Sequence, residues 1–198
     1  MRQVLSGSIV LGAALGLAAL SCPVAAQPAA DPVEAASQTF IHGCVAHLGA
    51  YDQLRRRLQP GQDLYLPQLP AKEAGLFLQG REGEAYARPD AGVTMALLPA
   101  EAQCAVFVRK ASSDRLFKRL EHDLRTALGQ SFTVQQGGRE TKGALLSRYI
   151  DMTPKGEYRA ELVKRHGGEP NGLRVILTSS ETANPNLQAI ITIGTRQP

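Results

Sequence analysis

Gln103-Cys-Ala-Val-Phe-Val-Arg109 and, just after it, Ser113-Asp-Arg-Leu-Phe-Lys-Arg-Leu-Glu-His-Asp-Leu-Arg-Thr-Ala-Leu128 decide how this chain folds. In the first stretch Cys104, Val106 and Val108 share one face, and Ala105, Phe107 and Arg109 share the other. A period of two is a strand. In the second stretch Leu116, Phe117, Leu120, Leu124, Ala127 and Leu128 recur at helical spacing. Ser112 or Ser113 can cap that helix, Asp114 complements its positive end, and Gly129 follows its last turn. A good strand followed by a long amphipathic helix, with alternating segments downstream, predicts an α+β fold. N-terminal helices pack on a mostly antiparallel sheet, and one long amphipathic helix, about 113–128, is inserted between strands.

Upstream, Asp31-Pro32-Val33-Glu34 reads as a helix start, with a cap, a proline in the first turn and an acid three residues after the cap. Phe40, Ile41, Cys44, Val45 and Leu48 continue at helical spacing to Gly49. A second short helix carries Tyr51, Leu54 and Leu58. The segment 62–70, with Pro67 and Pro70, is extended or irregular. A further short helix over 70–78 closes at Gly80, and strands at 84–88 and 93–98 flank the turn Pro89-Asp-Ala-Gly92.

Downstream, 132–136 reads as a short strand before a Gly137-Gly138 turn, and 144–152 as an alternating strand. Thr153-Pro-Lys-Gly156 is expected to be a hairpin turn into a strand carrying Tyr158, Ala160 and Leu162. Pro170-Asn171-Gly172 is expected to be a second hairpin turn before Leu173, Val175 and Leu177. A last strand, about 187–195, follows a loop containing Asn184-Pro185-Asn186. No internal repeat is visible.

The first residues are an export signal. Arg2 supplies a charge, 9–20 is an uncharged apolar run too short to span a bilayer, and Val24-Ala25-Ala26 offers small residues before a cut. The expected organisation is signal peptide 1–26, tether 27–30 and a single domain 31–198, periplasmic or secreted. The alternative is an outer-membrane lipoprotein lipidated on Cys22. Ala19, Leu20 and Ser21 fit that lipidation signal only at the position before the cysteine, and Pro23 follows awkwardly. With Cys22 cut away, Cys44 and Cys104 remain. Two cysteines in an oxidising compartment predict one disulfide, stapling the first helix to the strand at 103–109.

The net charge of +4 falls to +3 without Arg2, a mild basicity compatible with acidic partners. There is no tryptophan and few aromatics, which argues against a sugar-stacking lectin and against a nucleic-acid platform. His42 and His47 are not at the three- or four-residue spacing that places metal ligands together on a helix, and His122 and His166 stand apart. No serine-nucleophile, Walker or dinucleotide pattern is present, so no catalytic residue, cofactor or metal is expected. The remaining candidates are basic. Arg109, Lys110, Arg115, Lys118 and Arg119 cluster around the start of the long helix, and Arg148, Arg159, Lys164, Arg165 and Arg174 decorate successive strands, where antiparallel neighbours could bring several together on one sheet face. Arginine recognises carboxylate and phosphate through its forked donors. A solvated face neutralised by Glu121, Asp123, Glu157 and Glu161 is the plainer reading.

Phe40-Ile-His-Gly-Cys44 on a helix, Cys104 on a strand and the exported α+β plan resemble an uncharacterised family of exported or lipid-anchored proteins of Gram-negative bacteria. That resemblance implies periplasmic placement and a bridge, and brings no activity. The leading expectation is a non-catalytic periplasmic binding or interaction domain engaging an envelope protein or an acidic envelope component. The alternatives are a hydrolase gathering two or more of His42, His47, His122, Glu84 and Asp151, and a lipid-anchored assembly factor.

Overall fold

Asp31 opens the first helix as the sequence predicts: its carboxylate accepts a hydrogen bond from the Val33 amide at 2.9 Å, and Pro32 needs no partner in the first turn. The computed structural model describes residues 30–180 and 188–196. The leader with Cys22, positions 27–29 of the expected tether and the Asn184-Pro185-Asn186 loop lie outside them. Ala30 packs against the core rather than hanging free.

Helix α1, Pro32–Thr39, runs straight into a π-helix, Phe40–Val45. Helices α2, Tyr51–Arg57, and α3, Ala71–Leu78, follow. Strands β1, Glu84–Arg88, β2, Val93–Leu98, and β3, Gln103–Val108, form a meander. Helix α4, Ser113–Leu128, has the bounds that its stripe predicts, and the Ser112 hydroxyl caps it by accepting from the Arg115 amide. Strands β4, Phe132–Lys142, and β5, Leu145–Pro154, form a hairpin. Helix α5, Gly156–His166, then leads to β6, Gly172–Ser180, and β7, Ala189–Arg196.

The seven strands make one sheet in the order β1-β2-β3-β7-β6-β5-β4, with every neighbouring pair antiparallel. Its two faces explain the alternation in β3. Cys104, Val106 and Val108 join the main core under α1, the π-helix and α4, where Leu116, Leu120 and Leu124 are fully buried. Each such leucine contributes about 1.5–3 kcal/mol by leaving water. Ala105 and Phe107 face the other way into a smaller cluster covered by α3, where Phe77 meets Phe107 edge-on at 5.1 Å. Cys44 and Cys104 are bonded, with Cα atoms 5.4 Å apart, so the π-helix is tied to the centre of the sheet.

Several expectations are corrected. The segment with Tyr158, Ala160 and Leu162 is helix α5, not a strand, so two helices rather than one interrupt the strands between β3 and β6. It buries no residue fully and therefore carries no apolar stripe. Helix-forming Glu, Arg and Lys residues, a Glu161–Arg165 pair one turn apart and a left-handed Gly167 stop define it instead. Thr153-Pro-Lys-Gly156 is accordingly the end of β5 and the entry to α5, and Pro170-Asn171-Gly172 the exit from α5 into β6; neither closes a hairpin. Gly137-Gly138 is a bulge inside the long strand β4, and the hairpin turn is Gly143-Ala144. Ala127 is exposed and leaves the buried stripe of α4.

Candidate functional site

Where α1 becomes a π-helix, the backbone closes a wider turn: the Ala46 amide donates to the Ile41 carbonyl at 3.0 Å. Such turns recur at functional sites because they displace side chains from regular helical positions. Here the displaced turn forms one wall of a cleft of 540 Å³, to which Thr39, His42 and Gly43 contribute. Leu54 of α2, Leu58 just after it and Met95 of β2 provide its floor, and all three are buried. The opposite wall is the irregular segment 63–67, and Arg88 at the end of β1 and Asp90 in the turn after it stand at the rim. The volume falls within the roughly 300–1,000 Å³ of small-ligand pockets.

Gly43 permits this arrangement. A Cβ there would stand 2.8 Å from Met95 Sδ, so a larger residue would displace the buried Met95 side chain. The far wall is held by a chain of polar contacts. His47, buried at 6 % exposure, donates from Nδ1 to the Gly43 carbonyl at 3.1 Å, which leaves Nε2 to accept from Arg57 Nη1 at 3.3 Å. Arg57 donates through both Nε and Nη2 to the Asp63 carboxylate. That guanidinium holds the Asp63 carboxyl below its usual range. Both ends of the chain, Gly43 and Asp63, line the cleft. Beside it, Glu84 accepts from Arg55 at 2.8 Å and from the Tyr86 hydroxyl at 3.0 Å. Burial, and then the Glu84 carboxylate, push the Tyr86 hydroxyl up to about 12.

The basic cluster expected at the start of α4 is internally matched. Arg115 donates to Asp31 at 2.7 Å, and Arg119 to Asp123 at 2.7 Å and Glu34 at 3.4 Å. These bonds tie α1 to α4, as does the fully buried Ser37 hydroxyl, which donates to Asp123 at 2.7 Å. Arg109 is half-buried just beyond β3, and Lys118 is exposed. None of the four lines the cleft. The later basic residues do not share a sheet face either. Arg148 pairs with Asp114 over the Phe117 ring, Arg174 lies over Tyr149, and Arg159, Lys164 and Arg165 belong to α5.

No family model, curated protein or solved structure matches this chain. Its site is therefore read from its own geometry. Of the residues weighed for hydrolysis, His42 alone lines the cleft. His47 is turned to Gly43 and Arg57, Glu84 to Arg55 and Tyr86, and His122 lies exposed on α4. Asp151 is on β5, where Arg174 donates to it at 2.7 and 3.0 Å and Arg196 Nη1 stands 3.7 Å away. Arg174 holds the Asp151 carboxyl below its usual range. Among the described residues no group of three His, Cys, Asp or Glu is placed to hold a metal, and no helix is long and apolar enough to cross a membrane. No local spacing in the sequence encodes the cleft. Gly43, a glycine inside an otherwise helical apolar stripe, stands where a side chain would meet Met95.

Proposed function

We propose that this protein is a non-catalytic binding domain that engages an envelope protein through the cleft beside the π-helix. It is exported, cut after Ala26, and works in the periplasm or outside the cell; the buried Cys44–Cys104 bridge fits an oxidising compartment. The observation that carries the reading is the cleft itself: a preformed hollow with a buried apolar floor and a polar rim, its wall fixed by a disulfide-anchored turn. The dispersal of His47, His122, Glu84 and Asp151 supports binding over hydrolysis. An acidic envelope component is the weaker partner, because Arg115 and Arg119 are already paired with Asp31, Glu34 and Asp123 and none of them lines the cleft.

The test is site-specific photocrosslinking in cells exporting the full chain. A photoreactive residue replacing Tyr65, an exposed cleft residue, is expected to capture a discrete partner band. The same residue replacing His122, outside the cleft, is expected to capture none. Equal capture at both positions, or none at either, refutes the reading.

A further inference from the structure

The rim of the cleft carries two carboxylates, and each already has an arginine. Asp63 is held by two donors of Arg57, and Asp90 Oδ2 stands 3.7 Å from Arg88 Nε. The charges cancel around a floor of Leu54, Leu58 and Met95, with Leu64 and Leu66 half-buried beside them. A charged group entering this space would lose water and meet, among the described residues, carboxylates and guanidiniums that already face each other. An uncharged aliphatic group loses little and covers apolar surface. We infer that the occupant of the cleft is an uncharged aliphatic group, the side chain of a leucine, isoleucine or methionine presented by the partner protein. This inference rests on the binding reading above and names the chemistry of its contact.

Three probes of equal length separate the possibilities: 1-hexanol, hexylammonium and hexanoate, titrated into the full mature chain at neutral pH. Binding is read from the methyl NMR signals of Met95, Leu58 and Leu64, which report the cleft and not the bulk surface. The expected result is saturable shifts with hexanol, with both ions binding at least tenfold more weakly. Affinity should also rise from 1-butanol to 1-hexanol by up to about fourfold per added methylene. Asp90→Asn leaves Arg88 without its carboxylate and is expected to raise hexanoate binding several-fold relative to hexanol. Asp90 is exposed, so the variant keeps its fold. An ion that binds as tightly as hexanol, or hexanoate binding that ignores Asp90→Asn, overturns the inference and leaves the cleft as a binding site. No methyl shift with any probe overturns the aliphatic occupant and counts against the binding reading as well.

Discussion

Removing the bridge with Cys44→Ala and Cys104→Ala should be strongly destabilising although it introduces no charge. The two cysteines are 60 residues apart in sequence. Closing a loop of that length in the unfolded chain costs it about 14 cal/mol/K of entropy, which amounts to about 4 kcal/mol at 25 °C. Both cysteines are buried, at 0 % and 1 % exposure, so trimming the sulfurs adds a packing loss of about 1–2 kcal/mol. Native strain and residual order in the unfolded chain work in the other direction, and about 4 kcal/mol is the expected net loss. For a domain of this size that lowers Tm by about 8–16 °C. Urea denaturation followed by far-UV circular dichroism measures it, and the slope of the transition reports whether the unfolded chain expands when the link is cut. Reduced wild-type protein supplies the second arm, since it loses the link and keeps the sulfur volume. A loss below about 1 kcal/mol in both arms would show that the bridge does not act through loop closure. The π-helix carries Cys44 and lines the cleft through His42 and Gly43. The reduced protein should therefore also lose the hexanol-dependent methyl shifts before it unfolds globally.

Four further outcomes follow from named contacts. Asp151→Asn should cost about 1.5–3 kcal/mol at neutral pH, since it removes charge from a buried acceptor whose arginine is one-third exposed. Because Arg174 depresses the Asp151 carboxyl, the stability it supplies is present above pH 3.8 and lost as pH falls through the lower folded value; chemical melts of wild type and variant should converge in acid. Gly137→Ala places a Cβ 2.7 Å from the Asp151 carboxylate, and its cost of about 1–3 kcal/mol should largely vanish in an Asp151→Ala background, a coupling that a double-mutant cycle reads directly. Tyr86 should ionise near 12, so its contribution to stability is complete below pH 10 and declines as pH rises toward 12; Tyr86→Phe should flatten that decline in ultraviolet-monitored melts. Arg57→Gln should speed amide exchange across 59–67 while leaving exchange in β5 and β6 unchanged, and uniform acceleration would contradict a local brace.

The parts of the fold legible in the sequence were those where burial writes a period. Helix α4 buries one stripe, so Ser113–Leu128 stands out, and β3, buried on both faces, stands out as a short continuous apolar run. Capping chemistry marked the start of α1, and counting cysteines by compartment gave the bridge. The failures fall where burial writes nothing. Helix α5 is exposed or half-buried throughout, and its accidental alternation of Tyr158, Ala160 and Leu162 with charged residues imitates a strand. Gly137-Gly138 carries turn chemistry, yet the strand continues because the bulge makes room for the Asp151 carboxylate, a partner on the neighbouring strand. The cleft was invisible for the same reason. Its floor looks like any core, and its polar bracing joins Gly43, His47, Arg57 and Asp63 through contacts that no local spacing encodes. The plainer reading of the basic residues named Asp123 among their counter-charges but not Asp31 and Glu34, which come from α1 and its cap and so share no local spacing with Arg115 and Arg119.

The order of the strands has a consequence for the time course of folding. Strand β7, the last in sequence, lies between β3 and β6, so the β1–β3 meander and the β4–β6 group share no strand pairing until it arrives. Thr192 must find Ala105, far back along the chain, and such distant pairings are slow. A ribosome releasing this chain from the N-terminus therefore exposes two incomplete half-sheets and no finished domain. Until β7 docks, the two half-sheets have no common strand and the sheet stays open. Loss of β7 would accordingly split the sheet down its middle rather than trim its edge.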